Sequence, residues 1–367
     1  TLTIQIAENV TASQKSSSSI DRAGDVSSSV SAAPFMKAAQ LAKLDATASS
    51  TNTFSGKGGT GKTTVAASLA LALAQGGKRT LLMEVEGRQG IAQLFDTAPL
   101  PYEERMIAVA PQGGEVWALA VDPQEALLDY LEQFYNLRRA GAALKKMGAV
   151  DFATTIAPGL RDVLLTGKAV EVVRRKPDDK KNCYDAVVID APPTGRITKF
   201  LNVNSEMSGL AKVGPIRNHA DLVMSVIASP RTAVHLVTLL EEMPVQETID
   251  GIAELGAADL PVGSVFVNMT RPSVLTDEQR ASAIAGTLPL EQIGADLVTA
   301  GIAAEPLAVE LAAEARDYAL RIALEGRELR RIDELSISHL TFPLLPGGVD
   351  LGGLKNIKKK KHTEGVR

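Results

Sequence analysis

Residues 54–64 read Phe-Ser-Gly-Lys-Gly-Gly-Thr-Gly-Lys-Thr-Thr, which places Gly56, Gly61, Lys62 and Thr63 at the spacing G-x-x-x-x-G-K-[ST]. In such a loop, side-chain-free residues let successive backbone N–H groups curl around phosphate oxygens, a lysine reaches the β- and γ-phosphates, and a hydroxyl sits on Mg²⁺. The expectation is a nucleotide cradle made of Gly56, Lys57, Gly58, Gly59, Thr60, Gly61, Lys62, Thr63 and Thr64. The helix that follows adds its positive N-terminal end to the same anion. A glycine-rich turn before a helix is the plain alternative.

A second group closes an apolar run. Tyr184-Asp-Ala-Val-Val-Ile189 reads as a buried strand ending in Asp190-Ala-Pro-Pro-Thr-Gly195. A strand-end acid is where a phosphate-loop protein holds Mg²⁺ through its water shell, and the Thr-Gly that follows lets backbone approach the γ-phosphate. Thr63 and Asp190 are thus the expected metal residues. Glu86, in the polar turn after the strand Thr80–Val85, lies where an open parallel sheet delivers residues to a ligand. By residue type alone it is a solvated loop carboxylate. His235 sits in an apolar run with no second His or Cys at metal spacing, so a structural role is expected. Cys183 is the single cysteine, which excludes an internal disulfide and an all-cysteine metal cage within one chain and predicts a buried or idle thiol.

The elements that must position these residues follow from periodicity and caps. Val65–Ala74 is an alanine-rich helix stopped by Gly76-Gly77. After the strand Val116–Val121, Asp122-Pro-Gln-Glu125 caps a helix whose Leu127, Tyr130, Leu131, Phe134 and Tyr135 make one apolar face. Another helix covers Leu160–Val173, and Ser229-Pro-Arg-Thr232 reads as the cap of a helix running through Val234–Leu240 to Pro244, with a second helix to Gly256. Core packing explains these stripes more readily than a client groove does. Pro261–Asn268 is a buried strand, Thr276–Gln279 a capping box, Pro306 to about Ile332 a long helix or helix pair, and Leu340–Gly348 a last strand and turn. Alternating β and α elements predict an α/β fold, a mostly parallel sheet with helices on both faces.

The chain has 367 residues, 45% hydrophobic and 22% charged, with formal net charge -4. That is enough for one large α/β domain or a domain with an insertion, and nothing global points to nucleic acid or an anionic membrane surface. No apolar run reaches the length of a membrane span and no secretory signal is evident, so a cytoplasmic protein is expected. Residues 1–53 are rich in Ser, Thr and Ala and read as disordered. The stretch Ala46–Phe54 is a weak candidate for the apolar strand that should precede the phosphate loop. Lys355 and Lys358–Lys361 lie in a basic tail, 355–367, read as solvated.

With these residues laid out, the chain resembles the ArsA family of P-loop ATPases, which includes the arsenite-pump ATPase and the targeting factor for tail-anchored membrane proteins. The resemblance runs from Phe54 to Leu354 and implies a P-loop NTPase domain over 54–354 with a helical insertion subdomain, mainly 122–175 and 196–245. Lys57-Gly-Gly-Thr-Gly-Lys-Thr63 resembles the deviant loop with an extra leading lysine, also found in plasmid-partition and septum-site ATPases. Asp190-Ala-Pro-Pro-Thr-Gly195 resembles the family's switch II, while Asn268 and Phe342-Pro343-Leu344-Leu345-Pro346 resemble its two adenine-contacting segments. Gly87–Phe95, Thr154–Arg161 and Gly347–Gly352 are most similar to the actinobacterial ArsA-like branch.

Five implications follow from the resemblance. ATP and Mg²⁺ are the cofactors. Lys57, Lys62, Glu86 and Asp190 are the catalytic residues, with Lys57 reaching across a face-to-face dimer. The partner is a second copy or a related ATPase chain, and a membrane-protein client places the protein at the membrane periphery. Glu86 stands where the family's switch I usually carries Asp, so the attacking water is positioned by a longer carboxylate and hydrolysis is slow. The paired cysteines of the targeting factor and the cysteine ligands for arsenite are absent, so neither a zinc nor an arsenite site is expected.

The first functional reading is a dimeric, Mg²⁺-dependent ATPase coupling its nucleotide state to a client. Two rivals are a spatial-organisation ATPase of the partition type, which DNA-stimulated hydrolysis would favour, and a low-turnover scaffold forming half of a heterodimer, which the Glu86 departure motivates.

Overall fold

The computed structural model describes residues 51–110, 113–135, 158–176, 182–203, 215–302 and 307–345. Eight strands form one sheet in the order β3-β4-β2-β5-β1-β6-β7-β8. They are β1 (Thr51–Ser55), β2 (Arg79–Glu84), β3 (Arg105–Val109), β4 (Glu115–Ala120), β5 (Ala186–Asp190), β6 (Thr232–Thr238), β7 (Val262–Thr270) and β8 (His339–Pro343). Every neighbouring pair is parallel except β3 with β4.

The helices are α1 (Lys62–Leu73), α2 (Gly90–Leu94), α3 (Pro123–Tyr135), α4 (Pro158–Val173), α5 (Thr194–Leu201), α6 (Pro215–Ile227), α7 (Glu242–Ala257), α8 (Asp277–Ala285), α9 (Leu290–Thr299) and α10 (Leu307–Asp333). Because side chains alternate across a strand, Leu81, Met83, Val187, Ile189, Val234 and Leu236 pack with α3 to α7 on one face. Leu82, Val188 and Val237 pack with α1 and α2 on the other. Both faces are covered, as a parallel sheet requires. The expected α/β fold, a mostly parallel sheet between helical layers, is what the chain adopts.

Two readings are corrected. Ser229–Pro244 is not a helix: residues 232–238 form β6, all seven buried at the centre of the sheet. A short apolar run is indistinguishable by periodicity from a buried helix segment, and burial on both faces selects the strand. The helical region expected over 196–245 therefore contains α5 and α6 and stops at Ile227. Second, Thr51, Asn52 and Thr53 belong to the sheet, since β1 begins at Thr51 and all five of its residues are buried. The rest of 1–53, the part of the helical subdomain over 136–157, and the tail 355–367 lie outside the described residues.

Sequence reasoning missed β3, an exposed antiparallel edge strand. Its signal was Arg-Met-Ile-Ala-Val followed by a loop containing Gly113-Gly114 and a second strand, the pattern of a hairpin with a longer loop.

In the polar strand β1 the Asn52 and Ser55 side chains find partners, whereas the Thr51 and Thr53 hydroxyls are buried without one. Pairing of β6 with β7 shifts register between Val234 and Leu236, and in that bulge the Ser264 N–H donates to His235 Nδ1 at 3.0 Å. A ring nitrogen that accepts leaves the proton on the other, so His235 Nε2 donates to Asn52 Oδ1 at 3.2 Å. His235 is fully buried against the rings of Phe54 and Phe266, the structural role expected of it. Burial lowers its pKa to about 4.

Candidate functional site at the carboxyl edge of the sheet

The loop between β1 and α1 is closed by short-range contacts and braced from two strands. The Thr60 hydroxyl donates to the Lys57 carbonyl at 2.9 Å. A Cβ on Gly56 would come 2.1 Å from the Val237 carbonyl oxygen, so only glycine lets β1 turn here. Gly61, at φ 86, caps α1 and stands where a Cβ would meet the Asn268 amide nitrogen at 2.4 Å. That amide donates to the Thr60 carbonyl at 2.9 Å. Helix α1 can lie this close to the sheet because its alanines are small, and Val65 to Ala72 are all buried.

Below the loop the Thr63 hydroxyl donates to Asp190 Oδ2 at 2.6 Å. The other carboxylate oxygen, Asp190 Oδ1, is buried with no hydrogen-bond partner. Burial pushes the Asp190 carboxyl up to about 6, while the Thr63 hydrogen bond and the Lys62 ammonium pull the other way. An orphaned oxygen beside a hydroxyl, on a carboxyl short of counter-charge, is the donor set a hard cation takes, usually through water. Thr63 and Asp190 therefore fit Mg²⁺. The Lys62 ammonium folds back to the Lys57 carbonyl at 3.4 Å. Burial lowers its pKa, with Asp190 and Glu86 opposing and Arg88 adding to the fall.

Lys57 points elsewhere. Its ammonium pairs with Glu247 Oε1 on α7 at 2.9 Å, both side chains about one-third exposed, rather than standing free as a solvated loop charge. Glu247 Oε2 also accepts from the Thr194 hydroxyl at 3.3 Å, so one carboxylate joins the loop lysine to the start of α5. Glu86 follows β2, is largely shielded, and lies 3.4 Å from Arg88. Asn268 and Thr270 end β7, and the Leu344 N–H donates to the Thr270 carbonyl at 2.9 Å. This brings Pro343 opposite Thr270 and Leu344 beside it, at the edge where β7 ends, and Pro346 lies outside the described residues.

Three participants escaped sequence reasoning. Glu84, 2% exposed, accepts from the Gly90 and Ile91 N–H groups at the start of α2. Ser55 Oγ donates to the Pro192 carbonyl at 2.6 Å, tying β1 to the segment after Asp190. Glu247 is the third, and the sequence showed only that it falls in the helix expected to run to Gly256. Cys183, at the opposite end of β5 from Asp190, donates to the Lys176 carbonyl at 3.1 Å.

The functional groups thus share the carboxyl ends of parallel strands, where open α/β sheets bind ligands. Comparison with known proteins finds a family and several relatives. The anion-transporting ATPase family pattern matches residues 50–229. The ATPase BagA of Mycobacterium tuberculosis is 50% identical over 313 residues, covering 85% of this chain and 92% of that one. The ATPase GET3 of Kluyveromyces lactis is 26% identical over 58% of this chain and 70% of its own. An arsenical pump-driving ATPase of Acidiphilium multivorum is 25% identical over 84% of this chain and 54% of its own.

Proposed function

Since the chain belongs to the ArsA-type anion-transporting ATPase family, we propose that it binds ATP on residues 56–64 and hydrolyses it with Mg²⁺, as a dimer whose nucleotide state governs a client or membrane-protein partner. ATP hydrolysis is the activity its relatives' names carry. The observation that supports the site assignment best is the Thr63–Asp190 pair with its orphaned Oδ1.

On this reading backbone N–H groups of 58–62 and the Lys62 ammonium hold the β- and γ-phosphates. Thr63 and Asp190 would hold Mg²⁺, which would supply charge neutralisation at those phosphates. Glu86 orients the attacking water, and Asn268 with 343–345 borders the adenine. Lys57 completes the site of a facing subunit. Its pair with Glu247 supports this, because an ion pair this exposed is worth at most about 1 kcal/mol and yields readily to the polyanionic phosphates of ATP. Helices α3, α4, α5 and α6, which cover one face of the sheet, are the proposed client region. Arsenite does not activate the protein, since one thiol engaged with Lys176 cannot supply a thiolate set.

The test is a nucleotide titration followed by turnover with Mg²⁺ or chelator, with sedimentation run under ATP·Mg²⁺. Saturable ATP binding, Mg²⁺-dependent phosphate release and ATP-dependent association are expected. Failure of wild-type protein to bind ATP would sink the reading, and hydrolysis by a species that stays monomeric would remove its dimer.

A further inference from the structure

A hollow of about 180 Å³ opens beside Glu86, and Arg88, Arg161, Asp162 and Arg196 line it as well. Three different elements deliver the arginines. Arg88 comes from the turn after β2, Arg161 from the first turn of α4, and Arg196 from the first turn of α5, immediately beyond the segment that starts at Asp190.

Two features of this arrangement call for an anion. The N-terminal end of a helix carries partial positive charge and favours acids. Neither α4 nor α5 has an acid in its first turn, and each has an arginine there. Neither the Arg161 nor the Arg196 side chain makes an ion pair with any described residue. The Arg88 contact to Glu86 is long, and that arginine is 69% exposed. Among the described residues, three cations face two carboxylates at the hollow, with two helix ends adding to the positive side, so these residues leave it short of negative charge. Planar guanidinium groups are suited to bidentate contact with oxyanions.

Size narrows the class. A volume of about 180 Å³ equals roughly six water volumes, too small for a nucleotide and enough for one tetrahedral oxyanion with a few waters. Its place narrows it further. Glu86 belongs both to this hollow and to the proposed hydrolytic site, and the Arg88 charge is felt at Lys62.

We propose that the hollow is a second oxyanion site, separate from the phosphate loop, in which Arg161, Arg196 and Arg88 bind a phosphate-class tetrahedral anion. The anion is either phosphate released by hydrolysis or phosphate from solution, and only the first source rests on the ATPase reading above.

Inorganic phosphate is the probe, titrated calorimetrically into the full-length protein without nucleotide. Because phosphate can also enter the loop, Lys62→Ala serves as the background. Phosphate binding should persist in Lys62→Ala and weaken about tenfold or more when Arg161→Gln and Arg196→Gln are added, the loss expected for charge-assisted hydrogen bonds. Arg161→Lys with Arg196→Lys, which keeps both charges, should recover part of the affinity and covers the case in which the glutamine pair misfolds.

Disappearance of all phosphate binding in Lys62→Ala, or wild-type affinity in the folded arginine variants, would overturn the proposal. Failure of the ATPase reading shows separately, as ATP affinity unchanged by Lys62→Ala. Single-turnover phosphate release, followed with a phosphate-binding sensor, identifies the source. A release rate altered by the arginine pair assigns the site to product, and an unaltered rate with calorimetric binding intact assigns it to solution phosphate.

Discussion

The floor of the proposed nucleotide site and its rim are made from similar residue types and are held very differently. On the floor, Thr63 with Asp190, Asn268 with the Thr60 carbonyl and Ser55 with the Pro192 carbonyl are close contacts of buried or half-buried groups. At the rim, Lys57 with Glu247 and Glu86 with Arg88 are ion pairs with at least one partner open to water. Hydrogen bonds out of water are costly to break, whereas exposed ion pairs exchange at little cost. The difference teaches that the floor is built before the ligand arrives and the rim is built to be rearranged. Floor substitutions should therefore abolish binding, and rim substitutions should change what happens after binding.

The largest effect expected is on the floor. Lys62→Ala removes the charge-assisted contact to the β- and γ-phosphates, and ATP affinity should fall on the order of a hundredfold or more. Equilibrium titration with a fluorescent ATP analogue checks this, and an unchanged affinity would remove the loop from the site.

Next comes the sheet beneath the floor. His235 has its pKa held near 4 by burial, below its ordinary 6.5. The unfolded chain therefore takes up a proton first as pH falls, and stability is lost as pH drops from about 6.5 toward 4. At pH 5 this amounts to about 2 kcal/mol. His235→Gln should flatten that acid dependence relative to wild type in urea unfolding at pH 7 and pH 5. Asp190 contributes with the opposite sign, because its raised pKa makes the folded state the better proton acceptor between about 4 and 6. The difference between the two proteins isolates the histidine.

At the rim, Glu86→Gln should lower turnover on the order of tenfold with ATP affinity little changed. Glu86→Asp should raise turnover if the longer side chain misplaces the water, since an ångström of misplacement is costly in rate. Steady-state rates beside binding constants separate the two effects, and wild-type turnover in Glu86→Gln would leave that carboxylate no catalytic part. The smallest effect lies in the Lys57–Glu247 pair, whose coupling in a double-mutant cycle for unfolding should stay below about 1 kcal/mol. Lys57→Ala should nevertheless weaken ATP-dependent association while leaving ATP affinity of the isolated subunit nearly intact. Loss of nucleotide binding by a single subunit would instead place Lys57 in its own site.

Much of this protein was readable from local spacing. The loop 56–64, the strand ending at Asp190 and the capping box at Thr276 each carry their pattern within a few consecutive residues, so their residue types suffice to announce them. Strands β1 and β6 did not announce themselves. Thr51-Asn52-Thr53 is polar, and the Asn52 amide finds its buried partner in His235, which is 183 positions away along the chain. The run 232–238 carries cap-like residues before it and apolar residues within it, a pattern shared by helix and central strand, and only coverage of both faces by other elements decides between them. The same holds for partners at the site. The sequence by itself determined which groups could bind phosphate and metal, because that chemistry resides in residue type and backbone freedom. Only the tertiary structure decided that Asn268 braces the loop, that Glu247 holds Lys57, and that Arg88, Arg161 and Arg196 converge beside Glu86, because each juxtaposition is made by strands and helices distant in the chain.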